Sequence, residues 1–338
     1  MGLGRSRQHK APALPNPSTY SSITKVSSAI SRIVEPSAES MQVLEARAPG
    51  NLSGVFRAYL NLMKPHVTTL LVAVTALTMV MAARGMPSPL LMVATLLGGL
   101  LSAGSANAIN CYLDRDIDQL MGRTMRRAVP AGKVSAQNAL VFGVVLAVAS
   151  FTEMVLFVNL LAASLALSGI LFYVFIYTAL LKRTTPQNIV IGGAAGAVPA
   201  LVGWAAVTNT IGLPAFLLFL VIFFWTPPHF WALALLIQRD YERAGIPMLP
   251  VVVGEDETRR QIFLYTLLLI VVTVLLFVSG AMGYLYLVAA LGLGGYMLYL
   301  AYRLLRGDSK HWANRLFWFS NSYLALLFAV MAVDRVIS

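Results

Sequence analysis

The sequence predicts an all-α polytopic membrane protein of nine transmembrane helices, and three observations carry that reading. The 338 residues are 58 % hydrophobic and only 12 % charged, with a mean hydropathy of +0.74, which is too apolar for a soluble domain of this length. Nine apolar segments have roughly the 17–25 residues that a bilayer core demands. With those segments placed, 23 of the 25 Lys and Arg residues fall on one side, and only Arg84 and Arg335 on the other. That segregation puts the N-terminus inside and supports an odd number of spans. It also explains the net charge of +11: the cations sit in short connections as a topology signal, so no nucleic-acid partner is implied.

Taken in order, residues 1–55 are a polar stretch rich in Ser, Pro and Ala, without an apolar run long enough for a signal-peptide core. They read as a disordered or loosely helical cytoplasmic tail of a bacterial protein. Arg5, Arg7, Lys10 and the serines resemble a mitochondrial transit peptide, but Glu35, Glu39 and Glu45 argue against an acid-poor one. Residues 56–338 form the membrane domain, with spans expected at 66–84, 89–111, 138–157, 160–181, 188–207, 213–237, 262–281, 284–304 and 315–333. The third is interrupted by Thr152 and Glu153, and a tight turn near Asn159 separates it from the fourth. The single cysteine, Cys111, forms no internal disulfide and reads as a small buried residue.

Charge is concentrated where the second span ends, in NCYLDRDIDQLMGRTMRR from Asn110 to Arg127. On a helix Asn110, Asp114 and Asp118 recur at i, i+4 and i+8 and share one face, while Asp116 points away. Hard divalent ions such as Mg2+ take carboxylate oxygens and keep part of their shell for water and substrate phosphates. Arginine forks downstream match phosphate oxygens. The plainer alternative is a helix end whose charges solvate a loop and satisfy one another.

A second constellation closes the sixth span, FFWTPPHFWALALLIQ, and runs into RDYERAGIPMLPVVVGEDETRR. Pro227 and Pro228 are expected to break or kink the helix, freeing backbone groups at membrane depth. His229 follows them among Trp225, Phe230 and Trp231; a histidine inside a span is a functional candidate, and a satisfied core histidine is the alternative. Asp240 lies near the membrane surface, where it faces the first acidic row if the helices pack as one bundle. Lys182 and Arg183 stand on the same side, available to a diphosphate or serving as ordinary positive-inside charge. Gly192 to Gly196 lies inside an apolar span with no Walker lysine after it, so it is a close-packing stretch and not a nucleotide loop.

Together these pieces resemble the UbiA-type intramembrane prenyltransferases, and within them most closely the haem branch that farnesylates protohaem IX. The residues that carry the resemblance are Asn110 to Asp118, the RTMRR run from Arg123 to Arg127, LKRTTPQNIVIGG (Leu181 to Gly193), WTPPHFWAL (Trp225 to Leu233) and DYERAGIPMLPVV (Asp240 to Val252). LMKPHVTTL, from Leu62, also fits. The first motif is shared with quinone and chlorophyll prenyltransferases; the last two strings are more specific to the haem branch. Two departures stand out: Ala244 occupies the place of a second aspartate that many relatives carry, and the N-terminal extension is longer than usual.

The resemblance implies nine helices around a central intramembrane cavity, with farnesyl diphosphate and haem b as substrates and Mg2+ as cofactor. It implies Asp114, Asp118 and Asp240 as metal ligands and catalytic groups, and Asn110, Arg123, Arg127, Lys182 and Arg183 as diphosphate ligands. His66 and His229 are the candidates for positioning haem iron, or for bonding a propionate or the backbone; His311 and His9, in a loop and the tail, are less suited. The implied surroundings are the inner membrane of a bacterium, or of a mitochondrion for a eukaryotic protein, with a haem A synthase or a second copy as partner. Two competitors remain open: a prenyltransferase with a quinone or chlorophyllide-type acceptor, and a multispan haem or ion transporter. Against the transporter, the acidic rows lie at one surface beside arginines and not at the midplane.

Overall fold

The computed structural model describes residues 52–307 and 310–337. Among them all regular structure is helical, and nine helices are long and apolar enough to cross a membrane. The expected tail falls largely outside the described residues. Its last four positions, however, already belong to a helix, α1 (Leu52–Leu62).

The spans are α2 (Pro65–Ala83), α3 (Pro89–Leu113), α5 (Ala136–Phe157), α6 (Leu160–Thr184), α7 (Asn188–Thr208), α8 (Leu213–Leu236), α11 (Glu255–Val278), α12 (Tyr284–Arg306) and α13 (Lys310–Ile337). Short helices α4 (Arg115–Asp118), α9 (Gln238–Arg243) and α10 (Leu249–Val252) lie in the connections. Local chemistry sets the boundaries. Pro65 and Pro89 open α2 and α3, where a missing N–H costs nothing. Ser135 Oγ and Asn159 Oδ1 cap α5 and α6 by accepting from Asn138 N at 3.1 Å and Ala162 N at 2.8 Å. Asn159 also donates to Ala205 O at 2.9 Å, so the expected tight turn is tied to α7.

Three local expectations are revised. α11 starts at Glu255, seven residues before the expected apolar start, because Gly254 turns the chain at φ 85° and Glu255, Asp256 and Glu257 occupy the positive end of the helix. The break expected at Pro227–Pro228 does not form: α8 runs through both prolines, held by packing on α7, α11 and α13. The fourth span is not uniform, since residues Phe172–Leu181 form a π-helix. Such widened turns recur at functional sites.

Helices approach closely where glycine removes the side chain. A Cβ on Gly203 of α7 would stand 2.5 Å from the Thr75 carbonyl of α2, and one on Gly143 of α5 would stand 2.5 Å from Ile109 Cγ1 of α3. The main apolar core joins α2, α7, α8, α11, α12 and α13, while α1 packs Ala58 and Leu62 into a smaller cluster with Cys111 and Val129. Between α2, α3, α6 and α7, touched by Thr226 and Phe230 of α8, lies an apolar cavity of about 290 Å³. On its α3 side the lining ends at Asn107, one turn before Asn110.

Candidate active site

α3 ends at Leu113, yet its hydrogen-bond ladder continues: Asp114 N donates to Asn110 O at 2.9 Å and Asp118 N to Asp114 O at 2.8 Å. The expected row of Asn110, Asp114 and Asp118 is therefore kept on one face. All three side chains are buried, and every charge in the row has a partner. Asp114 Oδ2 accepts from Asn110 Nδ2 at 2.7 Å and from Lys182 Nζ at 2.5 Å. Both oxygens of Asp118 accept from Arg127 Nη1, at 2.9 and 2.8 Å. Burial opposes the charge on Arg127, and Asp118 outweighs it, so the guanidinium is held above its ordinary pKa.

Asp116 points away as expected. It receives both terminal nitrogens of Arg183 at 2.7 Å. Burial pushes its carboxyl up, but the Arg183 hydrogen bond and charge win and hold it below the ordinary carboxylate value. Arg183 also donates to Leu113 O at 2.8 Å, which locks the end of α6 onto the end of α3.

Asp240 sits on α9, which crosses the loop after α4: a Cβ on Gly122 would be 3.7 Å from Asp240 Oδ2. The neighbouring Tyr241 is buried; that burial raises its phenol pKa, against the hydrogen-bonded and exposed Arg123. Gln238, Arg239, Asp240, Glu242, Glu255 and Lys310 line a polar hollow here. The structure thus brings Asp240 to the Asp118–Arg127 loop without drawing Asp114, Asp118 and Asp240 into one ligand set: among the described residues no three His, Cys, Asp or Glu side chains are grouped closely enough to hold an ion. Lys182 and Arg127 occupy the carboxylates instead. The chemistry of the donor set still fits Mg2+, because the oxygens are hard and Asp114 Oδ1 is buried with no hydrogen-bond partner.

Sequence reasoning counted Lys64 only as a topology charge. It stands between α1 and α2 in the left-handed region at φ 49°, and its Nζ donates to Asn110 Oδ1 at 2.7 Å. Burial lowers its pKa to about 8. Asn107, one turn before Asn110, holds that corner by donating to Met63 O at 3.1 Å, which Thr68 Oγ1 also bonds at 2.7 Å. Thr178 accepts from Asn110 Nδ2 at 3.2 Å. Tyr173 and Tyr177, ring centroids 5.3 Å apart, line the cavity from the π-helix. Lys64 lies in the LMKPHVTTL string that fits the resemblance, but no periodicity announced the π-helix or its tyrosines.

Neither candidate histidine lines the apolar cavity. His66 is exposed on the first turn of α2. His229 is stacked between Trp225 and Phe317 at 4.4 and 4.9 Å, with Nδ1 2.7 Å from Ser320 Oγ. His311 is exposed at the start of α13, and His9 lies outside the described residues.

The arrangement is a buried, charge-balanced cluster of hard oxygens and cations beside an apolar, aromatic-edged cavity, suited to an amphiphile with an anionic head. Comparison with known proteins agrees. The protoheme IX farnesyltransferase of Gloeobacter violaceus is 54 % identical over 291 residues, covering 86 % of this chain and 95 % of that protein. The protoheme IX farnesyltransferase of a Roseiflexus species is 53 % identical over 84 % of this chain, which spans about half the length of that relative (53 %). Among solved structures, a digeranylgeranylglyceryl phosphate synthase superposes with a TM-score of 0.71 at 19 % identity, covering 84 % of this chain and 99 % of that one. A UbiA homologue from Archaeoglobus fulgidus bound to DMAPP and Mg2+ superposes with a TM-score of 0.60 at 16 % identity, covering 81 % of this chain and 99 % of that one; these two likenesses concern the fold alone. The profile of the UbiA prenyltransferase family matches residues 70–324, and with relatives this similar over this much of its length the chain belongs to the UbiA prenyltransferase family.

Proposed function

We propose that this protein transfers the farnesyl group of farnesyl diphosphate to a vinyl group of haem b, with addition of water, to give haem O and diphosphate. The observation that carries the reading is the buried row of Asn110, Asp114 and Asp118, balanced by Lys64, Lys182 and Arg127, at the edge of an apolar cavity. The names of the relatives supply the acceptor.

Asp114, Asp118 and Asp240 are the residues that would hold Mg2+. When bound, the ion supplies charge stabilisation to the departing diphosphate. Lys64, Lys182 and Arg183 add fixed positive charge at the same end, and Arg123 and Arg127 approach from the loop. Fixed charge of this kind is most effective where charge develops in a water-poor site. As the C–O bond to diphosphate breaks, the allylic cation lies against Tyr173, Tyr177 and the apolar wall, where ring faces contribute about 1–2 kcal/mol. The terminal vinyl carbon forms the new C–C bond. Water then bonds to the inner vinyl carbon and loses its proton. Exclusion of bulk water from the cavity keeps the cation from being quenched before the acceptor reaches it.

His66 and His229 are the candidates for contact with the porphyrin, which would have to meet them outside the apolar cavity, since neither lines it. In this reading the N-terminus lies on the inner side of a bacterial cytoplasmic or mitochondrial inner membrane, as the segregation of basic residues supports, and a haem A synthase or a second copy is the candidate partner.

Mass spectrometry of purified protein in detergent, given haem b, farnesyl diphosphate and Mg2+, tests the reading. Haem O should form, and should vanish in Asp114→Ala. Turnover with a quinone precursor and none with haem would overturn the acceptor, and product formation unchanged in Asp114→Ala would overturn the site.

A further inference from the structure

The glycines around the apolar cavity are not equivalent. A Cβ on Gly192 would stand 2.2 Å from Tyr177 Cδ2, one on Gly193 3.1 Å from Thr226 Cβ, and one on Gly169 3.2 Å from Val198 Cγ1. These three are glycine because a neighbour already fills the space. Gly99 and Gly196 also line the cavity, yet a Cβ on either meets nothing within 4 Å. There the missing side chain leaves room.

Their depths differ. The cationic cluster joins the α3 end at Leu113, the α6 end at Thr184 and the α2 start at Pro65, and α7 sets out from that same end at Asn188. Gly196 is eight residues into α7, about 12 Å of helix rise, whereas Gly99 is fourteen residues back from Leu113, about 21 Å. An isoprenoid diphosphate with its head at Asn110 and Lys182 passes Gly196 first and reaches Gly99 with its tail.

We propose that Gly99 and Gly196 set the length of isoprenoid chain that this cavity accepts, Gly99 by leaving the distal end open and Gly196 by leaving the passage to it open. The inference rests on the reading of the donor as a prenyl diphosphate and deepens it. A large side chain at Gly99 occupies the place of the terminal isoprene unit, so it excludes farnesyl and spares geranyl. The same side chain at Gly196 stands nearer the head and obstructs both, sparing only dimethylallyl.

Calorimetric titration of the detergent-purified protein with the thiolodiphosphate analogues of farnesyl, geranyl and dimethylallyl diphosphate in Mg2+ tests this without any acceptor. In Gly99→Phe the Kd for the farnesyl analogue should rise about tenfold or more while that for the geranyl analogue changes less than about twofold. Gly196→Phe should weaken both and leave dimethylallyl binding in place. Gly99→Val, a smaller step, should move the selectivity in the same direction, and thermal unfolding of each variant scores its folded fraction. A geranyl-to-farnesyl ratio in Gly99→Phe and Gly99→Val equal to that of the unsubstituted protein, whether both affinities persist or both fall, overturns the proposal. Failure of the unsubstituted protein to bind the farnesyl analogue overturns the donor reading itself, and the proposal with it.

Discussion

Lys182 Nζ lies 2.5 Å from Asp114 Oδ2, although the two residues are 68 positions apart. The contact ties the end of α6 to the end of α3, and it gives a fully buried carboxylate its cation. Replacing Lys182 with Met leaves Asp114, which is fully buried, with the Asn110 amide and the more distant Arg183, whose Nη2 is 4.0 Å from Oδ1. We expect kcat/KM for farnesyl diphosphate to fall at least about 100-fold. Steady-state assays of product formation check this; a loss under tenfold would remove Lys182 from the site.

Arg127 reaches both oxygens of Asp118 through one nitrogen, Nη1. Arg127→Ala leaves a buried carboxylate without its cation, which costs about 3–5 kcal/mol. The thermal unfolding midpoint in detergent should drop clearly. Asp118→Asn added to Arg127→Ala should recover much of that loss, because the uncompensated charge is gone, even though activity stays absent. No recovery in the double variant would show that Arg127 acts through packing.

Lys64 gives the site a pH dependence. Burial lowers its pKa from 10.5 to about 8, so the charged form is disfavoured in the fold. Between about pH 8 and 10.5 the folded chain carries fewer protons than the unfolded one, and stability rises with pH across that window. Affinity runs the other way: as pH passes 8 the ammonium that faces Asn110 loses its charge, and binding of an anionic diphosphate weakens. The Kd for a thiolodiphosphate analogue should increase above pH 8, and Lys64→Arg should flatten that inflection because guanidinium stays charged. An identical inflection in Lys64→Arg would assign it to another group.

Asn107 holds the corner on which Lys64 sits. A cycle of Asn107→Ala, Lys64→Met and the double variant separates this from a general packing role. We expect Asn107→Ala to raise KM for the donor several-fold in the parent and to have little further effect once Lys64 is Met. Additive losses would mean that Asn107 acts independently of Lys64.

Much of this architecture was legible locally. A span needs about 20 apolar residues and nothing from elsewhere, so all nine were visible in the hydropathy, with starts displaced only where Gly254 or an amphipathic turn such as that at Lys310 extends a helix. The polar row was legible for the same reason, since i, i+4 spacing is a property of one helix. The proline pair misled because a missing N–H breaks an isolated helix, whereas α8 is enclosed by three neighbours.

Hydrophobic length, charge segregation and the Asn110–Asp118 period can be read along the chain, since each depends only on sequence neighbours. Which cation meets which group of the site, as with Lys64 and the Asn110 amide or Lys182 and Asp114, follows from packing, as does the turn of His229 to Ser320 and not to the cavity. Those pairings join residues 46, 68 and 91 positions apart. They follow from how helices pack, and buried charges must be paired wherever that packing places them.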